Sequence, residues 1–301
     1  MPAGFVERRG IIVPVEPGRL DVVATPIGNL GDLSPRARAT LLEADLIVAE
    51  DTRRTGQLLA ALGETRPLVS LHAHNERSRV AGLLERLRGG ARIALVSDAG
   101  TPVLSDPGFE LVQAAVQAGF DVRTVPGVSA ITAALSIAAI PADRFCFEGF
   151  LPAKPRERRG RLAQLAQEPR TLVFFEAPHR IIESLTDLAA AFGSERRAAV
   201  GRELTKVFET MYRGTLGELA ARASCEPDFA RGELTLVVRG AAGEEPAEGA
   251  CELDRLLTVL TRELPPAKAA AIAAQLAGVR RADAYRRALV LAGRNDGGAD
   301  A

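Results

Sequence analysis

The stretch ARIALVSDAGTPVLSDPG, Ala91–Gly108, decides the fold class. An apolar run of strand length ends at Ser97-Asp98, and a loop of small residues takes over. Asp106-Pro107 follows, a capping residue with proline at the next position, which predicts a helix start; Gly119 closes that helix. Strand, loop and helix are the first half of a βαβ unit. The two Ser-Asp pairs of the loop therefore divide. Asp98, at a strand end before small residues, has no capping task and is expected to face a ligand, whereas Asp106 is expected to cap a helix.

The same order repeats outward. RLDVVATPIGN is a buried strand stopped by Thr25-Pro26, Ser34-Pro35 starts a helix, ADLIVAE is a strand ending at Glu50-Asp51, and Gly63 closes a helix over TRRTGQLLAALG. NERSRVAGLLERLRGG is an amphipathic helix, DVRTVPG a strand, and Ser129 is placed to cap AITAALSIAA. Strands alternating with helices predict a parallel sheet, and runs that are apolar throughout predict one covered on both faces. Open α/β sheets bind ligands beyond the carboxyl ends of their strands. Here those ends are ATPIGN, AEDTR, VSDAGTP and VPGVSA, which are expected to gather on one edge. The pattern changes after Pro141. DRFCFEGF, RTLVFFEAPHR, RAAVGREL, KVFETMYRG and ELTLVVRG are strands, and GREL followed at once by KVFET indicates a hairpin in a mixed sheet. The expected division is a tail over 1–18, an α/β domain over 19–140, a second over 141–239, a polar linker over 240–250, a helical segment over 251–293 and a disordered tail over 294–301.

Bulk properties exclude several classes. Lys+Arg equals Asp+Glu at 38 each, so nucleic-acid binding would need locally clustered cations. Three scattered cysteines form no disulfide framework or CxxC zinc pattern, which fits a reducing cytoplasm. No apolar run reaches membrane-spanning length, and the first residues lack the apolar segment of a signal peptide. No GxGxxG follows the first strand and no GxxxxGK[ST] occurs, so a dinucleotide or P-loop site is unsupported. His72 and His74 are a lone HxH pair, and no metal is expected. Elsewhere two readings stay open. AEDTRRTG can be a capped helix with solvated arginines or a ligand site, and GRELTKVFET can be a charged hairpin surface. His179-Arg180 places cations in a helix's first turn, where the macrodipole disfavours them unless an anion is near.

TPIGNLGD, AEDTR, SDAGTPVLSDPG, VPGVSA, FFEAPHR and GRELTK followed by FE occur in this order, and the combination resembles one family over about residues 19–240. It is the tetrapyrrole-methylase-like group of S-adenosylmethionine (SAM) methyltransferases, within it the 16S rRNA cytidine 2'-O-methyltransferase I type. The resemblance implies two α/β domains with SAM in the cleft between them, a small C-terminal helical extension, a homodimer, and 16S rRNA of the small ribosomal subunit as substrate. It implies cofactor contacts from Pro26, Ile27, Asp98, Thr101, Ser129, Ala130, Leu204 and Glu233. The first loop reads Thr25-Pro26-Ile27-Gly28 where distant members are glycine-rich. The alternative is a methyltransferase of the same fold acting on a tetrapyrrole or a protein side chain.

Methylating a ribose oxygen requires in-line positioning and loss of the hydroxyl proton. Glu50, Asp51, Glu176, Glu203 and Lys206 are candidate bases; a lysine would need a lowered pKa, which neighbouring Arg202 makes conceivable. Glu176, Arg202 and Lys206 are carried forward as the catalytic set. RNA needs a basic surface. One candidate is LPAKPRERRGR, with Lys154, Arg156, Arg158 and Arg159. The other is the C-terminal pair of helices around Gly278, resembling a helix-turn-helix, with Arg280 and Arg281. Arg53 and Arg180 complete the set. Each of these can instead be a solvated helix face.

Overall fold

The computed structural model describes residues 4–8, 11–15, 18–241 and 250–291. Strands β1 (Gly4–Arg8) and β2 (Ile11–Val15) pair antiparallel. The stretch expected as a tail thus contains a two-stranded ladder, for which the β-branched run Ile11-Ile12-Val13 has the propensity.

The first sheet is built from β3 (Arg19–Val23), α1 (Pro35–Glu43), β4 (Leu46–Ala49), α2 (Thr52–Ala61), β5 (Leu68–Ser70), α3 (Glu76–Arg88), β6 (Arg92–Val96), α4 (Phe109–Gln117), β7 (Asp121–Val125) and α5 (Ala130–Ile137). Its strand order is β5-β4-β6-β3-β7, all parallel. The apolar strands supply both faces. Leu20, Val48, Ile93 and Leu95 pack with Leu83 and Leu87 of α3 and Leu111 of α4, while Val23, Ile47, Ala94 and Val96 pack with Leu41 of α1 and Leu59 of α2. Each fully buried Leu, Ile or Val stabilises by about 1.5–3 kcal/mol relative to exposure, so this double cover makes the sheet a rigid platform.

The second sheet comprises β8 (Phe145–Phe150), α6 (Pro155–Leu165), β9 (Thr171–Glu176), α7 (Ile181–Phe192), β10 (Arg197–Arg202), β11 (Thr210–Thr215), α8 (Leu216–Cys225) and β12 (Leu234–Val238). The order is β11-β10-β12-β9-β8. β8 and β9 are parallel and the other pairs antiparallel, and β10–β11 is the expected hairpin. Alternation is clear in β9. Leu172 and Phe174 join the core under α6–α8, whereas Val173 faces the other way into a cluster with Ile131, Ala134 and Leu135 of α5. That cluster also takes Ile27 from the first sheet's loop and Leu204 from the end of β10. α5 is therefore the apolar wedge that fixes one sheet against the other, and both belong to one compact unit ending at Ala241.

Three helices, α9 (Ala250–Glu263), α10 (Pro266–Ala277) and α11 (Arg281–Leu291), lie in a second unit with its own small core of Leu253, Leu257, Ala269, Ala273, Ala284 and Ala288. Gly278, at φ 67, ends α10 in the left-handed conformation, and the Val279 amide bonds back to the Ala274 carbonyl. Residues 242–249 of the expected linker and the expected tail 294–301 lie outside the described residues.

Candidate functional site: a cleft between the two sheets

The carboxyl ends of β3, β4 and β6 do meet. Thr25 and Gly100 form an antiparallel bridge, and the Asp51 amide donates to Asp98 Oδ1 at 2.9 Å. The second sheet brings the ends of β8 and β9 and the start of β12 to the same edge. Between them lies a cleft of about 350 Å³, a size suited to a small molecule. Its first wall includes Ile27, Glu50, Arg54, Asp98 to Thr101 and Leu104 to Asp106. Ser129 and Ala130 form an end, and Phe150, Phe175, Gly232, Glu233 and Thr235 form the opposite wall.

The backbone at this edge is strained. Val103, Ser105, Glu203 and Thr205 have φ between 52 and 77, uncommon for residues with a Cβ and most of all for β-branched Val103 and Thr205. Such outliers persist where the surroundings over-determine them, typically around ligands. A Cβ on Gly100 would stand 3.3 Å from Ile27 Cγ2, so the loop presents bare backbone to the cleft. Arg202 Nε and Thr205 Oγ1 are buried without a hydrogen-bond partner among the described residues, at the edge where β10 ends.

Most of the residues that the resemblance implies for cofactor contact are brought together. Ile27, Asp98, Thr101, Ser129, Ala130 and Glu233 all line the cleft. Pro26 lines an adjoining hollow of about 400 Å³ that shares Arg54 and Asp98 with it. Leu204 is instead buried in the apolar cluster with Ile27. Ser129 stands at the N-cap of α5, yet its side chain makes no capping bond, contrary to expectation. The first amides of that helix are left for an anionic group, which a helix N-terminus favours.

The three residues expected to be catalytic have different surroundings. Glu176 is at a strand end, but its side chain is fully enclosed. Ser184 Oγ donates to it at 2.5 Å, Arg180 Nε lies 3.2 Å away, and the Ala177 amide donates at 2.8 Å. A carboxylate so bonded holds the β9–α7 junction, and Glu176 does so at the wall of the cleft, among whose lining residues it stands. Lys206 Nζ sits 2.8 Å from Glu203 and 3.3 Å from Glu233. Burial opposes its charge, but these carboxylates outweigh it and raise the ammonium's pKa, the opposite of what a lysine base needs. Its stem lies across Gly28, where a Cβ would come within 2.2 Å of Lys206 Cγ, so it ties the second sheet's loop to the first.

Asp106 is the reverse case. α4 begins at Phe109 with Gly108 at the cap, and Glu76 supplies the capping carboxylate to the amides of Gly108, Glu110 and Leu111. Asp106, relieved of that task, lines the cleft. Burial, then the charge of Glu50, pushes its carboxyl up to about 6. Burial and the Asp98 charge likewise raise Glu50. The Asp-Pro pair predicts a local cap, but the cap position falls two residues further on, at Gly108, and its carboxylate comes from another helix, which leaves no trace in the adjacent sequence.

The expected RNA contacts divide. Arg158 is 2% exposed and bonded to Asp187 at 2.7 Å and Glu183 at 3.1 Å, so it anchors α6 to α7 and cannot reach RNA. Arg180 is turned inward to Glu176 and the Leu151 carbonyl. Arg53 folds back on its own cap residue Asp51, and Arg54, not Arg53, faces the cleft, with Nε 3.5 Å from Asp98. Lys154, Arg156 and Arg159 are exposed along the start of α6, and Arg280 and Arg281 are exposed at the start of α11.

Fold and cleft define an α/β protein with a small-molecule cleft between two sheets, and comparison with known proteins gives its class. The sequence matches the family of Tetrapyrrole (Corrin/Porphyrin) Methylases over residues 19–220, and the RsmI C-terminal HTH domain over 247–292. Solved structures share the fold. A methyltransferase CobJ superposes with TM-score 0.56 at 23% identity over 75% of this chain and 95% of its own. A uroporphyrin-III C-methyl transferase from Thermus thermophilus, complexed with S-adenosyl homocysteine, gives 0.52 at 20% identity over 73% and 96%. Much nearer in sequence are proteins named ribosomal RNA small subunit methyltransferase I. That of Xylella fastidiosa strain Temecula1 is 54% identical over 89% of this chain and 98% of its own, and that of Pseudomonas aeruginosa 50% over 92% and 99%. The chain belongs to the tetrapyrrole methylase family, in the group of the ribosomal RNA small subunit methyltransferases I.

Proposed function

We propose that the protein transfers a methyl group from SAM to the ribose 2'-oxygen of a cytidine in 16S rRNA of the small ribosomal subunit. The observation that carries this reading is the cleft itself. It combines a bare-backbone loop, a strand-end carboxylate, an open helix N-terminus and a carboxyl raised into the neutral range. The names of the relatives quoted above supply the rRNA, and the family resemblance supplies the oxygen and the base.

The residues present suit SAM. The uncapped amides of α5 complement a carboxylate, Asp98 accepts from ribose hydroxyls or an ammonium, and Ile27 and Ile131 offer apolar surface. When bound, SAM supplies an already activated methyl, so the protein's share is positioning and proton removal. Asp106 is assigned the proton. Its raised carboxyl is ionised above about pH 6 yet basic enough to receive a proton from a hydroxyl in the transition state. Arg54 holds Asp98 in place beside it. Exposed Lys154, Arg156 and Arg159 neutralise phosphates, which position RNA without reading its sequence. Purified protein with methyl-labelled SAM should label small-subunit particles at one ribose, and a 2'-O-methyl group already at the target should block it. Labelling of a tetrapyrrole or a protein in place of rRNA would remove the reading.

A further inference from the structure

Two large apolar side chains of the cleft are left open to solvent. Phe150 is 54% exposed and Leu104 44%, although both line it. Irregular backbone presents each. Leu104 stands between Val103 and Ser105, both at positive φ. Phe150 follows Gly149, whose φ is 69, at a register shift in the β8–β9 ladder between Phe147 and Gly149. A bulge of this kind re-aims the side chain beyond it. The two segments abut, because a Cβ on Gly149 would stand 3.0 Å from Ser105 Oγ. Phe150 is also backed from within. Its ring centroid lies 5.7 Å from that of Phe175, which lies 4.9 Å from that of Phe147.

Resting on the rRNA reading above, we propose that Leu104 and Phe150 form a slot that takes the unstacked base of the nucleotide being methylated. Every nucleobase offers a flat face, and enzymes acting on one nucleotide of a structured RNA hold its base between aromatic and apolar side chains. Asp106, two residues from Leu104, then stands on the ribose side of the slot. The chain beyond Phe150 runs within four residues into exposed Lys154 and then Arg156, so phosphates flanking the base meet cations. The exposed rim, with Arg54 on the same wall as Leu104, fits an anionic polymer whose base enters the cleft.

The test uses the full-length protein with F150A, F150W and L104A. Base stacking of this kind is worth about 10- to 100-fold on truncation. F150A is expected to raise KM for small-subunit RNA by about that factor, with the Kd for SAM unchanged within twofold and thermal midpoint unchanged. F150W should restore RNA affinity, and L104A should be milder. A weakened Kd for SAM in F150A with unchanged KM for RNA would assign the slot to the cofactor's adenine and overturn the proposal. A changed oligomeric state would assign it to an interface and overturn it equally. If wild type labels rRNA and F150A labels it with the same constants, the slot fails while the functional reading stands; if wild type labels no rRNA, the reading itself fails.

Discussion

In the proposed reaction Asp106 receives the hydroxyl proton. Methyl transfer should rise as pH climbs through about 6, following its ionisation. Asp106→Asn should lose that ascending limb and about 10²- to 10⁴-fold in rate, measured as single-turnover labelling. Stability moves the other way. A carboxyl raised in the folded state contributes stability that is fully present below its unfolded pKa near 4 and is lost as pH rises through about 6. Asp106→Asn should therefore unfold at no lower urea concentration than wild type at pH 8, which separates lost chemistry from lost fold. Arg158 makes the complementary point. Arg158→Ala removes the 2.7 Å partner of Asp187, leaving it Arg159 at 3.8 Å, and should cost about 3 kcal/mol by urea denaturation, with no change in the salt dependence of RNA binding. The triple change of Lys154, Arg156 and Arg159 to Ala should do the converse, reducing the slope of log affinity against log salt by about one per lost phosphate contact.

Among the elements, α4 depends on a distant side chain. Its first amides are satisfied by Glu76 from the start of α3, which is buried and accepts from three amides. Glu76→Ala should cost about 2 kcal/mol, near the upper end for a lost cap. It should also loosen the 103–108 loop, which hydrogen exchange at Gly108 and Leu111 would register. This dependence explains what could be read in advance. Strands β3, β4, β6 and β7 and the β10–β11 hairpin follow from local apolar runs and breakers, whereas β5 is only three residues long and presents no such run. Asp98, Thr101 and Ser129 were legible because strand ends of parallel sheets converge. The roles of Asp106 and Arg158 were not, because each is decided by partners far along the chain, Glu76 in one case and Asp187 in the other. Phe150 escaped notice because alternation along β8 gives no sign of the bulge that turns it outward.

At the scale of the molecule, the chain divides into two compact units. The cleft lies wholly within the unit ending at Ala241, while the helical unit has its own alanine-rich core and exposed Arg280 and Arg281. A chain ending at Ala241 should fold and bind SAM with a Kd within about threefold of wild type by calorimetry, because every lining residue is retained. Its RNA affinity should fall, because counterion release scales with the phosphates contacted.

Whether this cleft methylates a ribose of small-subunit rRNA is decided by mass mapping of 16S rRNA from cells with the protein, without it, and with Asp106→Asn alone. One cytidine ribose should gain a methyl with wild type and lack it in both other strains. An identical ribose methylation map in all three would contradict this.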